Sequence, residues 1–251
     1  MAIVNRNESA NALGAVIITG AAQGIGAAVA DHLVSQGYRV VLADIQREKL
    51  HSVAERLGAE AVEVDIADPE SVDAMVTQTL SLNTRIYGLV NVAGIDAPDA
   101  GWEEIDVQHW RRLIDVDLSG QWWCMRSVLP HMIAAGGGRI VTISSVCGVV
   151  PCAGVSVAYG AAKAGVIGMT MSLAKEVERH GVLVNAVAPG ATGNTGTPMT
   201  IERRQQYDEK FPLGPTGTEP AARAVSYLLG NGGDFVSGTV LNVSGGYWHG
   251  R

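Results

Sequence analysis

The chain has 251 residues, of which 47% are hydrophobic, and it carries a net charge of -7. This length and composition allow one large α/β domain, or two small ones, with a substantial core. Because Lys and Arg form no run anywhere in the chain, the sequence argues against nucleic acid or an anionic membrane surface as a partner.

The first 14 residues, MAIVNRNESANALG, lack the cationic start and unbroken apolar stretch of a signal peptide. No run of 18 apolar residues follows, so we expect a cytoplasmic protein that does not bind a membrane. The six histidines are scattered singly and predict no metal site. Residues 1–13 are expected to be a loosely held extension ahead of one domain, 14–251.

From residue 15 onward, short β-branched runs alternate with helical patterns. Apolar residues at helical spacing, such as Ile25, Val29 and Leu33, predict a first helix that ends at Gly37. The runs between helices are apolar on both faces, which indicates a buried parallel sheet. The predicted fold class is therefore α/β, a doubly wound Rossmann-like sheet with helices on both faces. Its strands are predicted at 15–20, 39–44, 61–66, 88–94, 139–145, 182–190 and 239–245.

The first predicted strand leads directly into the glycine-rich stretch TGAAQGIG, residues 19–26. Glycines at these positions permit a tight turn, the approach of a pyrophosphate and close packing of the next helix, whose N-terminus offers free N–H groups. Such a loop can also be a plain turn, but its place between a first strand and a first helix favours nucleotide binding. The predicted contacts are Gly20, Gln23, Gly24, Ile25 and Gly26.

Asp44 ends the second predicted strand, at the distance from the glycine loop where a carboxylate reaches an adenosine ribose. It could accept hydrogen bonds from both ribose hydroxyls of NAD, whereas the 2'-phosphate of NADP would meet a like charge. Alternatively, Asp44 only caps the helix that follows. Arg47 is nearby, but the loop positions 21–23 carry no cation for a 2'-phosphate. NAD is the predicted cofactor.

Tyr159 and Lys163 stand four residues apart in VAYGAAKAG (157–165), which places them on one face of a helix. Alone, the pair is easily produced by chance. Together with TGAAQGIG, NVAG (91–94), ISS (143–145) and APG (188–190), in this order over about residues 14–247, it resembles the classical short-chain dehydrogenase/reductase family. The resemblance implies a seven-stranded Rossmann-like sheet, a nicotinamide cofactor, hydride transfer between a secondary alcohol and its ketone, and a homotetramer or dimer.

Oxidation of an alcohol requires a base, but a free tyrosine with a pKa near 10 is protonated at pH 7. A cation on the same helical face favours the phenolate. Lowering the tyrosine pKa by about three units takes roughly 4 kcal/mol, which Lys163 and the positive nicotinamide ring together could supply in a partly dry site. Tyr159 is thus the predicted acid/base and Lys163 its tuner, and the resemblance also assigns Lys163 to the nicotinamide ribose.

The resemblance also assigns other motif residues. Aligned with the family pattern, Ser145 rather than Ser144 would hydrogen-bond the substrate oxygen, although adjacent serines after a strand are also ordinary turn residues. Asp65 and Ile66 would contact the adenine, with capping of the next helix as the alternative for Asp65. Thr192 or a later threonine would meet the nicotinamide carboxamide, in a register left open by an insertion. The remaining cofactor contacts implied are Asn91, Ala93, Gly94, Pro189 and Gly190.

The stretch IDVDLSG (114–120) departs from the family, because Asp117 stands where the family's fourth catalytic residue is usually Asn. In relatives, that Asn bends a helix and helps to hold a water next to the lysine, largely through its main-chain carbonyl. Asp117 keeps the carbonyl, and its charge could raise the Lys163 pKa. We expect Asp117→Asn to change activity less than tenfold; a loss above a hundredfold would show that the carboxylate itself is used. Alternatively, Asp117 only bends the helix.

The substrate region is predicted from composition. Residues 191–215 form a Gly/Pro/Thr-rich lid with a short helix, and Val146, Cys147, Val150, Pro151 and Cys152 form an apolar wall, which favours an uncharged alicyclic, aromatic or acyl alcohol.

The chain has three cysteines, Cys124, Cys147 and Cys152, and they show no Cys-x-x-Cys spacing. We interpret them as reduced packing residues; alternatively, one of them lines the substrate pocket. Trp122 and Trp123 are assigned to subunit packing rather than substrate stacking.

Three functions are consistent with these motifs. The first is an NAD-dependent alcohol dehydrogenase that acts on a small apolar secondary alcohol or ketone. The second is a 3-oxoacyl thioester reductase, which Asp44 argues against because biosynthetic reduction generally uses NADPH. The third is an inactive NAD-binding scaffold, which the unusual Asp117 keeps open.

Overall fold

Seven strands form the centre of the protein in a computed structural model, which describes residues 13–95, 101–152, 154–193, 195, 200–211 and 213–250. The strands are β1 (Ala15–Thr19), β2 (Arg39–Asp44), β3 (Glu60–Glu63), β4 (Ile86–Asn91), β5 (Gly138–Ile143), β6 (Val182–Pro189) and β7 (Val240–Val243). All neighbours pair in parallel, in the order β3-β2-β1-β4-β5-β6-β7. The predicted doubly wound parallel sheet is confirmed.

Helices cover both faces of the sheet and connect its strands. They are α1 (Gly24–Ser35), α2 (Arg47–Leu57), α3 (Pro69–Ser81), α4 (Val107–Ile114), α5 (Gln121–Ala134), α6 (Val157–Val177), α7 (Ile201–Lys210) and α8 (Glu219–Leu229). One core cluster includes Met75 of α3, Met125 of α5 and Leu173 of α6. The other includes Leu33 of α1 and Leu228 of α8. Each sheet face is therefore buried by its own set of helices, as expected for strands that are apolar on both sides.

The strand order reverses between β1 and β4, which are neighbours in the sheet although β2 and β3 lie between them in sequence. In open parallel sheets, the crevice at such a reversal, at the carboxyl ends of the strands, is where ligands bind. Here the Thr19 hydroxyl at the end of β1 accepts hydrogen bonds from the N–H groups of Val92 and Ala93, both 3.2 Å. The fold thus joins the glycine loop to the NVAG motif.

The strand ends differ from prediction where the chain turns toward this crevice. β3 ends at Glu63 and not at residue 66, and β4 ends at Asn91 and not at residue 94. Val92 leaves the sheet because its N–H bonds a side chain rather than a neighbouring strand. Gly37 follows α1 in the left-handed conformation (φ 82°), as predicted. Of the predicted extension, residues 1–12 lie outside the described residues, and Leu13 packs against the core.

One helical segment, Val157–His180, is long and apolar enough to cross a membrane by length and composition alone. Core helices pass the same test, and 39% of this segment's most apolar window is buried inside the protein. It packs against β6 and carries Lys163, whose side chain is buried. The segment therefore has a place in the core of the fold.

Candidate active site

A cavity of about 1470 Å³ opens at the carboxyl end of the sheet. It brings together residues from every motif named above. Of the predicted site residues, Gly20, Gln23, Gly24, Ile25, Asp44, Asp65, Ile66, Ala93, Gly94, Ser145, Tyr159, Lys163, Pro189, Gly190 and Thr192 line it. Gly26, Asn91 and Asp117 lie behind this lining and are buried.

The glycines of the loop between β1 and α1 are required by close backbone contacts. Gly20 has φ 68°, and a Cβ on it would come within 2.7 Å of the Ala93 nitrogen. A Cβ on Gly26 would come within 2.0 Å of the Gly20 carbonyl oxygen. Side chains at these positions would therefore push the loop away from the sheet and fill the space in front of the α1 N-terminus.

Asp44 is buried at the end of β2 and binds the glycine loop. Its Oδ2 accepts the N–H of Ala22 (3.0 Å), and its Oδ1 accepts the N–H of Gln46 (2.9 Å), just before α2. The carboxylate still lines the cavity, and each oxygen keeps a second lone pair for a ligand. Asp44 thus both holds the loop and faces the space where a ribose would lie.

A cation that the sequence analysis overlooked lies at the same corner. The Lys49 ammonium donates to Gln23 Oε1 (2.9 Å) and Gln46 Oε1 (2.8 Å), and both glutamines line the cavity. Arg47, which the sequence analysis did consider, instead pairs with Glu63 at 2.9 Å. Lys49 lies in the first turn of α2, and only the folded chain shows that it reaches back to the loop.

Asp65 and Ile66 follow β3 and line the cavity. Asp65 Oδ1 accepts the N–H of Ala67 at 2.9 Å, in a turn. The next helix, α3, is capped by Asp68, whose side chain accepts the N–H of Glu70 at 3.0 Å. The alternative that Asp65 caps this helix is therefore wrong, because three more residues precede its start.

Asn91 is fully buried at the end of β4, and its side-chain amide donates to the Gln121 carbonyl at 2.9 Å. This bond ties the strand to the start of α5. Asn91 therefore supports the NVAG motif from behind, and the following residues, Ala93 and Gly94, form the cavity surface.

Tyr159 and Lys163 lie near the start of α6 and line the cavity together. The Lys163 Nζ lies 5.4 Å from the centroid of the Tyr159 ring. Lys163 is 4% exposed. A buried ammonium so close to a phenol acts in a poorly screened environment, where its effect on the phenolate is larger than on a solvated surface.

The two serines after β5 have different partners. Ser144 donates its hydroxyl to the main-chain carbonyl of Lys163 at 2.8 Å and so anchors the strand end to α6. Ser145 accepts the N–H of Cys147 at 3.1 Å. The Ser144 hydroxyl proton is used in the bond to the Lys163 carbonyl. Ser145 only accepts in its contact with Cys147, so its hydroxyl proton remains available for a ligand in the cavity.

Gly148, which the sequence analysis did not single out, fixes the same region. A Cβ on Gly148 would come within 2.6 Å of the Lys163 carbonyl carbon and 2.8 Å of the Ala164 nitrogen. The turn after Ser145 therefore packs directly on the backbone of α6 at Lys163, and glycine is the residue that allows it.

Asp117 lies in a π-helical turn, Asp115–Gly120, between α4 and α5. Its side chain is fully buried, with Oδ1 accepting the Ile95 N–H at 2.7 Å and Oδ2 lying 3.2 Å from the Lys163 Nζ. The helix is distorted here, as expected. The carboxylate also contacts the lysine directly. The sequence analysis had assigned the role of this residue mainly to its main-chain carbonyl and did not predict this contact.

Cys147 and Cys152 form a disulfide, so the prediction that they are reduced is wrong. They are five positions apart in sequence, and the turn after Ser145 brings their Cα atoms to 5.3 Å. Both line the cavity. Cys124 is free and fully buried, in agreement with a packing role, and burial raises the pKa of its thiol to about 12.

We expect this disulfide to contribute modestly to stability, because it closes a short loop. Reduction with dithiothreitol should lower the free energy of unfolding of the wild type by about 2 kcal/mol, as measured by urea denaturation. In the double variant Cys147→Ala/Cys152→Ala, the reductant should have no effect. A wild-type midpoint that ignores the reductant would contradict a closed disulfide.

The far side of the cavity is formed by lid helix α7 and the C-terminal segment. Val146, Cys147 and Cys152 of the predicted wall line the cavity, but Val150 and Pro151 are not among its lining residues. Residues 194, 196–199 and 212 of the predicted lid lie outside the described residues. Thr192 hydrogen-bonds Thr195, and Thr195 lies against Gly24.

An aromatic cluster that the sequence analysis missed faces this side of the cavity: Tyr207, Phe211 and Tyr247. The Phe211 ring lies 4.8 Å from Tyr207 and 4.5 Å from Tyr247, between centroids. Burial raises the pKa of Tyr207, so its hydroxyl stays protonated and uncharged. Lys210 also lines the cavity, with Nζ 5.5 Å from the Phe211 centroid.

Trp122 and Trp123 lie on α5, partly buried against the core, and neither lines the cavity formed by the described residues. The Arg126 guanidinium lies 5.8 Å from the Trp123 ring centroid. Substrate stacking on these rings finds no support, and subunit packing stays a prediction. Across the described part of the chain, no three His, Cys, Asp or Glu side chains are grouped to hold a metal ion.

Comparison with known proteins agrees with the geometry. The family model of the short chain dehydrogenases matches residues 14–208. The chain is 40% identical to cis-4-hydroxycyclohexanecarboxylate dehydrogenase of Sinomonas cyclohexanicum, over 92% of this chain and 95% of that protein. It is 36% identical to the 3-oxoacyl-[acyl-carrier-protein] reductase FabG of Aquifex aeolicus (92% and 95%) and 35% identical to cyclohexanol dehydrogenase of Acinetobacter sp. strain SE19 (92% and 93%).

Among solved structures, that of gox2181 superimposes with a TM-score of 0.88 at 30% identity, covering 93% of this chain and 95% of that one. The protein therefore belongs to the short-chain dehydrogenase family of oxidoreductases.

Proposed function

We propose that this protein is an NAD-dependent dehydrogenase that interconverts a secondary alcohol on an alicyclic ring and the corresponding ketone. The observation that carries the proposal is the meeting of Ser145, Tyr159 and Lys163 with the glycine loop in one cavity. A proton-transfer group and a dinucleotide cradle in the same space fit hydride transfer to or from an alcohol carbon.

The described residues fit a nicotinamide dinucleotide. Gly20 and Gly26 let the loop pack tightly on neighbouring main chain, and α1 begins at this loop with free N–H groups for a pyrophosphate. Asp44 would hold the adenosine ribose and Lys163 the nicotinamide ribose. When bound, the nicotinamide supplies the hydride acceptor or donor.

The protein's own groups handle the proton. In the oxidation direction, the Tyr159 phenolate takes the hydroxyl proton of the alcohol. The Ser145 hydroxyl donates a hydrogen bond to the substrate oxygen and stabilises the charge that develops on it. The buried Lys163 ammonium stabilises the phenolate beside it. In the reduction direction, Tyr159 returns the proton to the ketone oxygen.

Two charges support opposite cofactor preferences. The buried Asp44 carboxylate would face the 2'-phosphate of NADP and disfavour it. The Lys49 ammonium, held by Gln23 and Gln46, could bind that phosphate. We favour NAD because Lys49 is solvent-exposed, so its attraction is screened more strongly than the repulsion from Asp44.

The substrate class rests on the shape of the far wall and on the relatives. Tyr207, Phe211 and Tyr247 offer an aromatic surface in the cavity that the disulfide also lines, and a saturated ring packs well against aromatic faces. Two of the relatives are named for cyclohexane alcohols. Because Lys210 borders the cavity, a ring alcohol that carries a carboxylate is included in the proposal; this widens the uncharged class expected from the wall alone.

A homotetramer or dimer and a cytoplasmic location remain proposals. The half-buried tryptophans of α5 support subunit packing. The proposed need for a nicotinamide dinucleotide supports a cytoplasmic location. The Cys147–Cys152 disulfide argues the other way, because in the cytosol such bonds are usually transient or redox-sensing.

A second candidate is a 3-oxoacyl thioester reductase that uses NADPH. Lys49 at the ribose corner and the similarity to FabG of Aquifex aeolicus favour it. The two functions differ in both cofactor and substrate, so one set of measurements separates them.

The test is to follow reduced-cofactor absorbance with the wild-type protein at pH 9. The substrates are cyclohexanol, cis-4-hydroxycyclohexanecarboxylate and a linear 3-hydroxyacyl thioester, each with NAD and with NADP. We expect kcat/KM at least about tenfold higher with NAD, which corresponds to about 1.4 kcal/mol, and turnover of a ring alcohol. The wild type is used because replacing Asp44 would also release the Ala22 N–H. Faster turnover of the thioester with NADP would overturn the proposal.

A further inference from the structure

We infer that the Asp117 carboxylate, through its contact with Lys163, positions that lysine and sets the pH at which Tyr159 gives up its proton. The inference rests on the proposed role of Tyr159. It concerns Asp117, which stands where relatives usually have Asn. In relatives, the residue acts largely through its main-chain carbonyl, whereas here we assign a role to the side chain.

The first step is the contact itself. Asp117 Oδ2 lies 3.2 Å from Lys163 Nζ, and the two side chains are 0% and 5% exposed. A Cβ on Gly94 would come within 3.2 Å of both atoms, so this cavity-lining glycine makes room for the pair. The ion pair is thus enclosed by the motif regions after β4 and on α6, out of reach of solvent screening.

The second step is that two donors meet one side chain. The Ile95 N–H donates to Oδ1 at 2.7 Å, whereas Lys163 lies beside the other oxygen, Oδ2. A carboxylate can accept the Ile95 N–H on one oxygen and place negative charge beside Lys163 on the other, whereas an amide has a single acceptor oxygen and would turn an NH2 group toward one of the two partners. In this chain, asparagine cannot keep both contacts, so the carboxylate bridges the loop after β4 to the lysine.

The third step is electrostatic. Without Asp117, the Lys163 ammonium would act on Tyr159 as an isolated cation; with it, the phenol faces an ion pair whose net charge is zero. The negative charge raises the proton affinity of both Tyr159 and Lys163, which titrate as a coupled pair. It also keeps the proton on Lys163 while Tyr159 releases its own. Asp117 therefore moves the ionisation of Tyr159 to higher pH and preserves the productive charge distribution.

Other titratable groups near α6 are more exposed. His109 of α4 contacts Ser156, immediately before α6, at 3.1 Å from its Nε2. Cys147, in the turn packed on α6, is in the disulfide and does not titrate. The charged or titratable groups elsewhere around the cavity are Asp44, Asp65, Arg111, Arg112, Asp115, Tyr207, Lys210 and Tyr247. The charged group whose distance to the Lys163 ammonium is established is the Asp117 carboxylate, at 3.2 Å.

The test compares Asp117→Asn with Glu176→Gln, which removes one negative charge from a solvent-exposed side chain near the end of α6, outside the cavity lining. Ionisation of Tyr159 is measured in protein without substrate, as the ultraviolet tyrosinate signal of each variant minus that of the same variant carrying Tyr159→Phe. The oxidation rate is measured across pH in parallel. The substrate-free titration decides the inference even if no ring alcohol is turned over, so its outcome is separate from that of the proposed function.

For Asp117→Asn we expect the Tyr159 inflection to fall by about one pH unit or more, and the plateau oxidation rate to fall at least about tenfold because Lys163 loses its proton more readily. Because Asp117 contacts Lys163, we expect this larger effect in place of the less than tenfold change expected from the sequence. Glu176→Gln should stay within about 0.3 pH unit of the wild type, because solvent screens its charge. An Asp117→Asn inflection that coincides with the wild type, or that rises, overturns the inference.

A further variant covers the case in which Asp117→Asn does not fold, as judged by circular dichroism. Asp117→Glu keeps the charge but displaces it, so the Tyr159 inflection should stay within about half a pH unit of the wild type while the rate falls. If Asp117→Glu shifts the inflection downward by a full unit, the charge is not what sets it, and the inference fails.

Discussion

Replacing Tyr159 by phenylalanine is expected to lower kcat/KM for alcohol oxidation about a thousandfold. The variant removes only the hydroxyl that we propose exchanges a proton with the substrate, and the ring beside Lys163 remains. Binding of NAD should change little, because Lys163 and the glycine loop stay in place. The measurements are steady-state kinetics and cofactor titration by fluorescence, on protein shown to be folded.

The matched control is Tyr227→Phe, which removes a hydroxyl from a half-exposed tyrosine on α8 and should behave as the wild type. If Tyr159→Phe retains more than about a tenth of the activity, Tyr159 is not the acid/base. If the wild type binds NAD but oxidises none of the alcohols tried, and Tyr159→Phe binds it equally well, the inactive scaffold becomes the better interpretation.

The second large effect is expected for Gly26→Ala. Its new Cβ would overlap the Gly20 carbonyl, at 2.0 Å, and approach the Ala21 Cα at 3.1 Å. Both neighbours are main chain, so the loop must move as a unit and the phosphate space in front of α1 must change. We expect the dissociation constant for NAD to rise about a hundredfold, equivalent to roughly 2.7 kcal/mol, as measured by calorimetry.

Gly168→Ala provides the control for this change. Gly168 also lies in a helix, but nothing lies within 4 Å of a Cβ placed there. The substitution should leave NAD binding unchanged and stabilise α6 slightly, because alanine favours helix over glycine. Equal affinities for Gly26→Ala and Gly168→Ala would show that the glycine loop does not hold the cofactor.

The sequence predicted the architecture well because its signals are local. Most strands are short apolar runs, and the seven predicted runs correspond to the seven strands, with differences at the ends where the chain enters the crevice. The glycine loop, NVAG, the serines and the Tyr/Lys pair carry recognisable spacing. Most of their cavity-facing residues therefore could be named before any coordinates were known.

What the sequence did not predict depends on contacts between distant elements. Lys49 reaches the ribose corner only because α2 folds back along the glycine loop. Tyr247 meets Phe211 across 36 residues of chain. Asp117 was identified as unusual, but the direction of its carboxylate follows from the π-helical turn and the approach of α6. The Cys147–Cys152 spacing matches no common motif, and the tight turn after Ser145 is what brings the thiols together.

The attachment of Ser144 and Gly148 to the main chain of Lys163 has a consequence for redesign of this enzyme. Residues 144–148 are tied to the start of α6 by these contacts, so swapping that stretch with a homologue's is expected to disturb the proposed proton transfer along with selectivity. Libraries aimed at new substrates belong farther out, on Val155, Gln206 and Phe211, which border the same cavity without such anchoring. Selectivity can then be varied while the reaction chemistry is inherited intact.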